Sequence, residues 1–126
     1  MESREQGLAG LQVLVIEDES LVMMLLEDLL TDLGCNIIAT ASRAGEALEK
    51  ASSLSFDVAI LDVNLNGQHT LEIADRLAER RLPFVFATGY GATSLLARFE
   101  GVPILQKPFL QSDLETALRT ALGRRG

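Results

Sequence analysis

VLVIEDE, residues 13–19, sets the fold: four apolar residues, three of them β-branched, run directly into three acids. A short apolar run of this kind reads as a buried parallel strand, and the acids then fall where the strand opens into a loop. The pattern recurs along the chain. DVAIL (57–61) ends in Asp62, PFVFA (83–87) ends in Thr88, and VPILQ (102–106) runs into Lys107-Pro108. With a fifth run, strands are expected near 11–16, 36–41, 57–62, 83–88 and 102–106. Helical periodicity falls near 20–33, 43–52, 67–81, 91–98 and 111–122. Strict alternation of strand and helix means βαβ units: a five-stranded parallel, doubly wound α/β sheet with helices on both faces. In such a sheet the ligand crevice lies outside the carboxyl ends of the strands, so the acids, Asp62, Thr88 and Lys107 converge there.

Local chemistry marks the boundaries. Ser20 is placed to cap the first helix, and Gly34 to close it in a left-handed conformation. Pro83 and Pro103 open strands, where a missing N–H is tolerated. Residues 1–9 lack periodicity and read as a loose tail, 10–123 as one domain, and 124–126 as a second tail, with no output domain expected.

Composition narrows the function. The chain has 126 residues, 48% of them hydrophobic, enough for one independently folding domain. The net charge of −7 speaks against nucleic acid, which needs a basic face. No stretch approaches the roughly 20 apolar residues of a membrane span. The single cysteine, Cys35, cannot form an internal disulfide, which fits a reducing cytoplasm. It follows Gly34 at a helix end and reads as a packing residue. His69, the lone histidine, reads as a solvated helix-entry residue.

Each site residue has a plain alternative: Glu17 and Asp18 as a solvated acidic turn, Asp62 as a cap for the turn-rich DVNLNG, Thr88 as a strand residue, Lys107 as a surface charge. Their convergence outweighs these. Adjacent carboxylates repel, and Mg²⁺ offsets them, because it takes oxygen ligands and bridges to phosphate. Asp62 would be a metal partner and a nucleophile, and the Asn64 backbone carbonyl is placed to reach the same ion. A hydroxyl and an ammonium flanking a transferred group suit phosphoryl transfer, which needs positioning and charge neutralisation above all.

From about Leu11 to Leu122 the chain resembles the receiver domain of bacterial two-component response regulators, on the elements VLVIEDE, VAILDVNLNG, FATGY and ILQKPF in that order. The resemblance implies strand order 2-1-3-4-5. It implies Asp62 as phosphoacceptor, with Glu17, Asp18 and the Asn64 carbonyl holding Mg²⁺. Thr88 and Lys107 would contact phosphoryl oxygens, and the Lys107–Pro108 bond would be cis. It also implies a sensor histidine kinase or histidine phosphotransferase as donor and a downstream protein as reader, or a phosphate-sink role. The chain itself would be a monomer or weak dimer.

Three departures stand out. Leu65-Asn66 replaces the family's Met-Pro pair, Ile104 replaces the aromatic switch residue, and FATGY is similar to the FATGUY subgroup of single-domain receivers. Tyr90, on a loop flanked by Gly89 and Gly91, is therefore a candidate for part of the switch.

On the first helix a core stripe of Val22, Leu25, Leu26, Leu29 and Leu33 is expected. That leaves Leu21 and Met24 exposed as a donor-docking face. Two other readings compete: a pseudo-receiver that binds partners without phosphorylation, and a haloacid-dehalogenase-like phosphatase. The order of motifs opposes the phosphatase, since its Asp-x-Asp sits on the first strand and here Asn64 stands where the second Asp would be.

Overall fold

The computed structural model describes residues 8–89 and 96–123. Five parallel strands form the sheet: β1 (Gln12–Ile16), β2 (Asn36–Ala41), β3 (Val58–Asp62), β6 (Phe84–Thr88) and β7 (Ile104–Gln106). A separate two-stranded hairpin, β4 (Asn64–Leu65) and β5 (Gln68–His69), lies between β3 and the next helix. The sheet runs β2-β1-β3-β6-β7, which is 2-1-3-4-5 when its own five strands are counted. The helices are α1 (Ser20–Asp32), α2 (Ala44–Ser53), α3 (Leu71–Glu79) and α4 (Gln111–Gly123).

Pleating sends alternate residues to opposite faces, and each face meets its own helices. Val13, Val15, Val58, Ile60, Val85 and Leu105 pack with Leu26 and Leu30 of α1 and Leu114 and Leu118 of α4. Leu14, Ile16, Ala59, Leu61, Phe84 and Phe86 pack with Ala47 and Ala51 of α2 and Ile73 and Leu77 of α3. On that second face Phe86 meets Phe84 and Phe99 edge to face, with ring centroids 5.4 Å and 5.3 Å apart.

Several local expectations shift. The packed chain begins at Leu8, inside the span read as a tail: Leu8 is buried, and its carbonyl accepts from the Cys35 thiol at 3.5 Å. Residues 1–7 and 124–126 lie outside the described residues. Ser20 is the first helical residue and not the cap; Glu19 occupies the cap position and makes no capping side-chain bond. At the other end of α1, Gly34 is left-handed at φ +88°, with Gly34 N–H on the Thr31 carbonyl and Cys35 N–H on the Leu30 carbonyl. This double bond satisfies carbonyls the helix would leave open. A Cβ at position 34 would also sit 3.3 Å from Ala9 Cα.

The core stripe of α1 runs through Leu26 and Leu30, with Val22, Met23, Leu29 and Leu33 at its margins. Leu25 is exposed and joins Leu21 and Met24 outside it. The helix expected from residue 67 starts at Leu71, because Asn66 (φ 51°) and Gly67 (φ 83°) turn the β4–β5 hairpin first. Paired positive φ angles at Asn-Gly match the twist of a two-residue hairpin. Of the helix expected over 91–98, residues 91–95 lie outside the described residues, and 96–101 form turns. Among the described residues no helix is long and apolar enough to cross a membrane.

Candidate functional site: an acidic crevice bridged by lysine

Strand register builds the site. Ile16 stands beside both Ala41 and Leu61, Asp62 beside Ala87, and Thr88 beside Gln106. The strand ends therefore lie at one level, and Glu17 and Lys107, just after β1 and β7, arrive together with Asp62 and Thr88, the last residues of β3 and β6. Two backbone bonds lock that level: Glu17 N–H to the Ala41 carbonyl (3.0 Å) and Lys107 N–H to the Thr88 carbonyl (2.8 Å). The Lys107–Pro108 peptide is cis.

A cavity of about 270 Å³ opens over Asp62, lined by Asp18, Glu19, Asn64, Gly89 and Lys107. Oxygens of Glu17, Asp18 and Asp62 all lie within 4.8 Å of one another. The Lys107 ammonium bridges the acids, with Nζ 3.1 Å from Asp62 Oδ2, 3.1 Å from Glu19 Oε1 and 3.2 Å from Glu17 Oε1. Asp62 Oδ1 accepts from the Asn64 N–H at 3.0 Å, so the carboxylate is held from two sides.

Burial sets the electrostatics. Glu17 is 1% exposed, and burial followed by the neighbouring Asp62 charge pushes its carboxyl up from 4.5 to about 7. Burial would lower the Lys107 ammonium, but the Asp62 and Glu17 carboxylates outweigh it and push it up to about 12. The Glu17 Oε1 atom is buried with no hydrogen-bond donor aimed at it, although Lys107 Nζ is within ion-pair distance. A buried carboxylate oxygen without a donor is costly, and a cation beside it would remove that cost. The three carboxylates are the all-oxygen donor set that Mg²⁺ prefers. The residues present therefore fit such an ion.

The sequence did not single out three further contributors. Thr70 is buried and donates from Oγ1 to the Asp62 carbonyl at 2.6 Å, fixing the backbone that carries the carboxylate. The Asn66 N–H binds Asp18 Oδ2 at 2.9 Å, tying the hairpin to the acidic pair. Glu19, read only as part of an acidic run, reaches Lys107. The Asn66-Gly67 dipeptide is a hairpin signal that the sequence does carry. Nothing in the sequence marks Thr70. Thr88 sits at the end of β6 and is half-buried, with Gly89 beside it forming the cavity wall. Tyr90 lies outside the described residues, as do the side chains of Gln68 and His69.

A doubly wound parallel sheet with an acidic, lysine-bridged crevice at its strand ends defines a narrow class of α/β signalling domain. The chain belongs to the response regulator receiver domain family, whose model matches residues 13–119. It is 32% identical over 117 residues to the transcriptional regulatory protein PdtaR of Mycobacterium tuberculosis, covering 90% of this chain and 57% of that protein. The chain spans about half the length of the curated relatives it matches. Among solved structures it is similar to SdrG from Sphingomonas melonis Fr1, at 41% identity and TM-score 0.81, covering 90% of this chain and 97% of that one. It is also similar to the receiver domain of the PhyR response regulator from Erythrobacter litoralis. That match has 30% identity and TM-score 0.80, and covers 94% of each chain.

Proposed function

We propose that this receiver accepts a phosphoryl group on Asp62 from a sensor histidine kinase or histidine phosphotransferase, and signals through phosphorylation-dependent protein contact. One observation carries the reading: three carboxylates within 4.8 Å, with Lys107 3.1 Å from Asp62 Oδ2, at the mouth of an open cavity.

In transfer, an Asp62 carboxylate oxygen forms a bond to phosphorus as the bond from phosphorus to the donor nitrogen breaks, and the imidazole leaves with its electron pair. The attacking group is the Asp62 carboxylate, a class of side chain competent to form an acyl phosphate directly. Lys107 neutralises charge on the phosphoryl oxygens, and the Thr88 hydroxyl donates to another. Asn64 N–H and Lys107 hold the acceptor carboxylate in position beforehand, which is the main service a protein renders this reaction. Glu17, Asp18, Asp62 and the Asn64 carbonyl would hold Mg²⁺, which when bound supplies charge neutralisation for the incoming phosphate. Water admitted to the same crevice would hydrolyse the acyl phosphate, so self-dephosphorylation belongs to the same reading.

Leu21 and Met24 are exposed on α1, beside the loop that carries Glu17 and Asp18, and form the donor-docking face in this account. A reducing cytoplasm suits the buried, unpaired Cys35, whose thiol burial pushes up and away from reactivity.

The test is intact mass after incubation with acetyl phosphate, with Mg²⁺ and with EDTA. One phosphoryl adduct that requires the divalent ion is expected. An unmodified chain, together with no release of inorganic phosphate, would leave a binding-only domain and refute the reading.

A further inference from the structure

Glu19 lines the cavity over Asp62, and the proposed function gives it no task. It is 62% exposed, yet its Oε1 is 3.1 Å from Lys107 Nζ, as close as Asp62 Oδ2. Its place in the chain sharpens the point. Glu19 occupies the cap position of α1, where a side-chain oxygen could accept from the helix's open N–H groups, and it makes no such bond. The carboxylate is spent on Lys107 instead.

An ammonium has three donors. Those of Lys107 go to Glu17, Glu19 and Asp62. A phosphoryl oxygen that needs this ammonium must displace one of the three acids. Glu17 and Asp62 are buried at 1% and 5% exposure and cannot turn to water. Glu19 can, at little cost, because a solvated carboxylate replaces one hydrogen bond with another.

We propose that Glu19 is a positioning residue: its carboxylate parks Lys107 in the unphosphorylated site and sets the rate at which the site accepts a phosphoryl group. This rests on Asp62 as acceptor and names what controls it. Acceptance requires Lys107 to exchange Glu19 for phosphoryl oxygens. Until it does, Glu19 both occupies a donor and adds negative charge to the wall that an anionic donor must approach. Both effects slow transfer, and the second weakens as salt screens it.

Uptake from acetyl phosphate with Mg²⁺ is followed by intact mass for wild type, Glu19→Gln, Glu19→Ala and Glu27→Gln, at low salt and at about 1 M salt, where the screening length is about 3 Å. The Asp62 oxygen bonds to phosphorus as the phosphorus–oxygen bond to acetate breaks, and acetate leaves. Both Glu19 variants are expected to take up phosphate roughly 3- to 10-fold faster than wild type at low salt, with part of the gap closing at high salt. Glu27→Gln removes an exposed α1 charge elsewhere and is expected to match wild type.

Uptake by the Glu19 variants alone would support the proposal in its strongest form. Equal or slower uptake by them, or equal acceleration in Glu27→Gln, would overturn it while leaving Asp62 as acceptor. Uptake by none of the four proteins, together with no release of inorganic phosphate, would overturn the functional reading, and this inference with it.

Discussion

On both faces of the sheet, stability comes from apolar contact: Leu26, Leu30, Leu114 and Leu118 on one side, Ile73, Leu77 and the Phe84–Phe86–Phe99 cluster on the other. At the carboxyl ends of the same strands, three acids crowd one ammonium, a fourth, Asp18, lies beside two of them, and one buried carboxylate oxygen has no donor. The interior follows hydrophobic patterning closely; the strand ends violate it. Proteins tolerate such local violations at functional sites, where an unsatisfied group waits for its ligand. The apolar layers hold the fold, and the crevice uses some of that stability to stay reactive.

Removing the acceptor separates the two regions most sharply. Asp62→Asn is expected to abolish phosphoryl uptake completely. It is also expected to melt at the wild-type temperature or above in EDTA, because Lys107 keeps Glu17 and Glu19 while one repulsive charge is lost. Intact mass and thermal melting read the two halves of that prediction. A large fall in melting temperature would mean that the crevice is holding the fold together.

The converse change is Leu118→Ala, in the α1–α4 layer and fully buried. It should cost about 2–5 kcal/mol in urea unfolding yet leave the uptake rate of the folded protein unchanged. Coupled loss of rate would erase the division between core and crevice.

The pH dependence follows from Glu17. Its carboxyl is pushed from 4.5 to about 7, by burial first and by Asp62 second, so the fold favours the protonated form. The resulting stabilisation is complete below about 4.5 and is lost as pH rises through about 7. In EDTA the melting temperature should therefore fall between pH 5 and 8, and Glu17→Gln should flatten that fall. Adding Mg²⁺ should reverse it near pH 8. A flat wild-type profile in EDTA would contradict the electrostatics assigned to the crevice.

The smallest effect on the fold is expected on α1. Leu21→Glu and Met24→Glu should shift stability by less than about 0.5 kcal/mol and leave uptake from acetyl phosphate intact. Uptake from a histidine-phosphorylated donor protein should fall roughly tenfold, since the donor must dock on a face and a small molecule need not. Equal effects on both donors would place these residues in the chemistry instead of the docking face.

Much of the fold was legible because parallel strands buried on both faces are apolar throughout, and VLVI, VAIL and FVFA stand out against their surroundings. The same logic made Glu17, Asp62 and Lys107 visible, as polar groups interrupting apolar runs. What escaped notice depended on tertiary geometry. Four of the five residues expected in the α1 stripe, Val22, Leu26, Leu29 and Leu33, pack on the core; the rotation of the helix against the sheet buries Leu30 and exposes Leu25, which periodicity alone does not decide. Ser20 looked like a cap, but the helix begins at it. Thr70 gains its role only because α3 brings its hydroxyl to the Asp62 carbonyl, eight residues away, a contact with no periodicity to announce it. Glu19 was hidden by its neighbours: in a run of three acids, nothing in the spacing says which one faces the lysine.

The most direct test of the account is the location of the phosphoryl group. The protein is treated with acetyl phosphate and Mg²⁺, the acyl phosphate is reduced with borohydride, and the resulting homoserine is mapped by peptide mass spectrometry. Homoserine at position 62, absent without Mg²⁺, is the predicted result. A phosphoryl group on His69, homoserine at another carboxylate, or no reducible adduct would contradict the assignment of Asp62 as the acceptor.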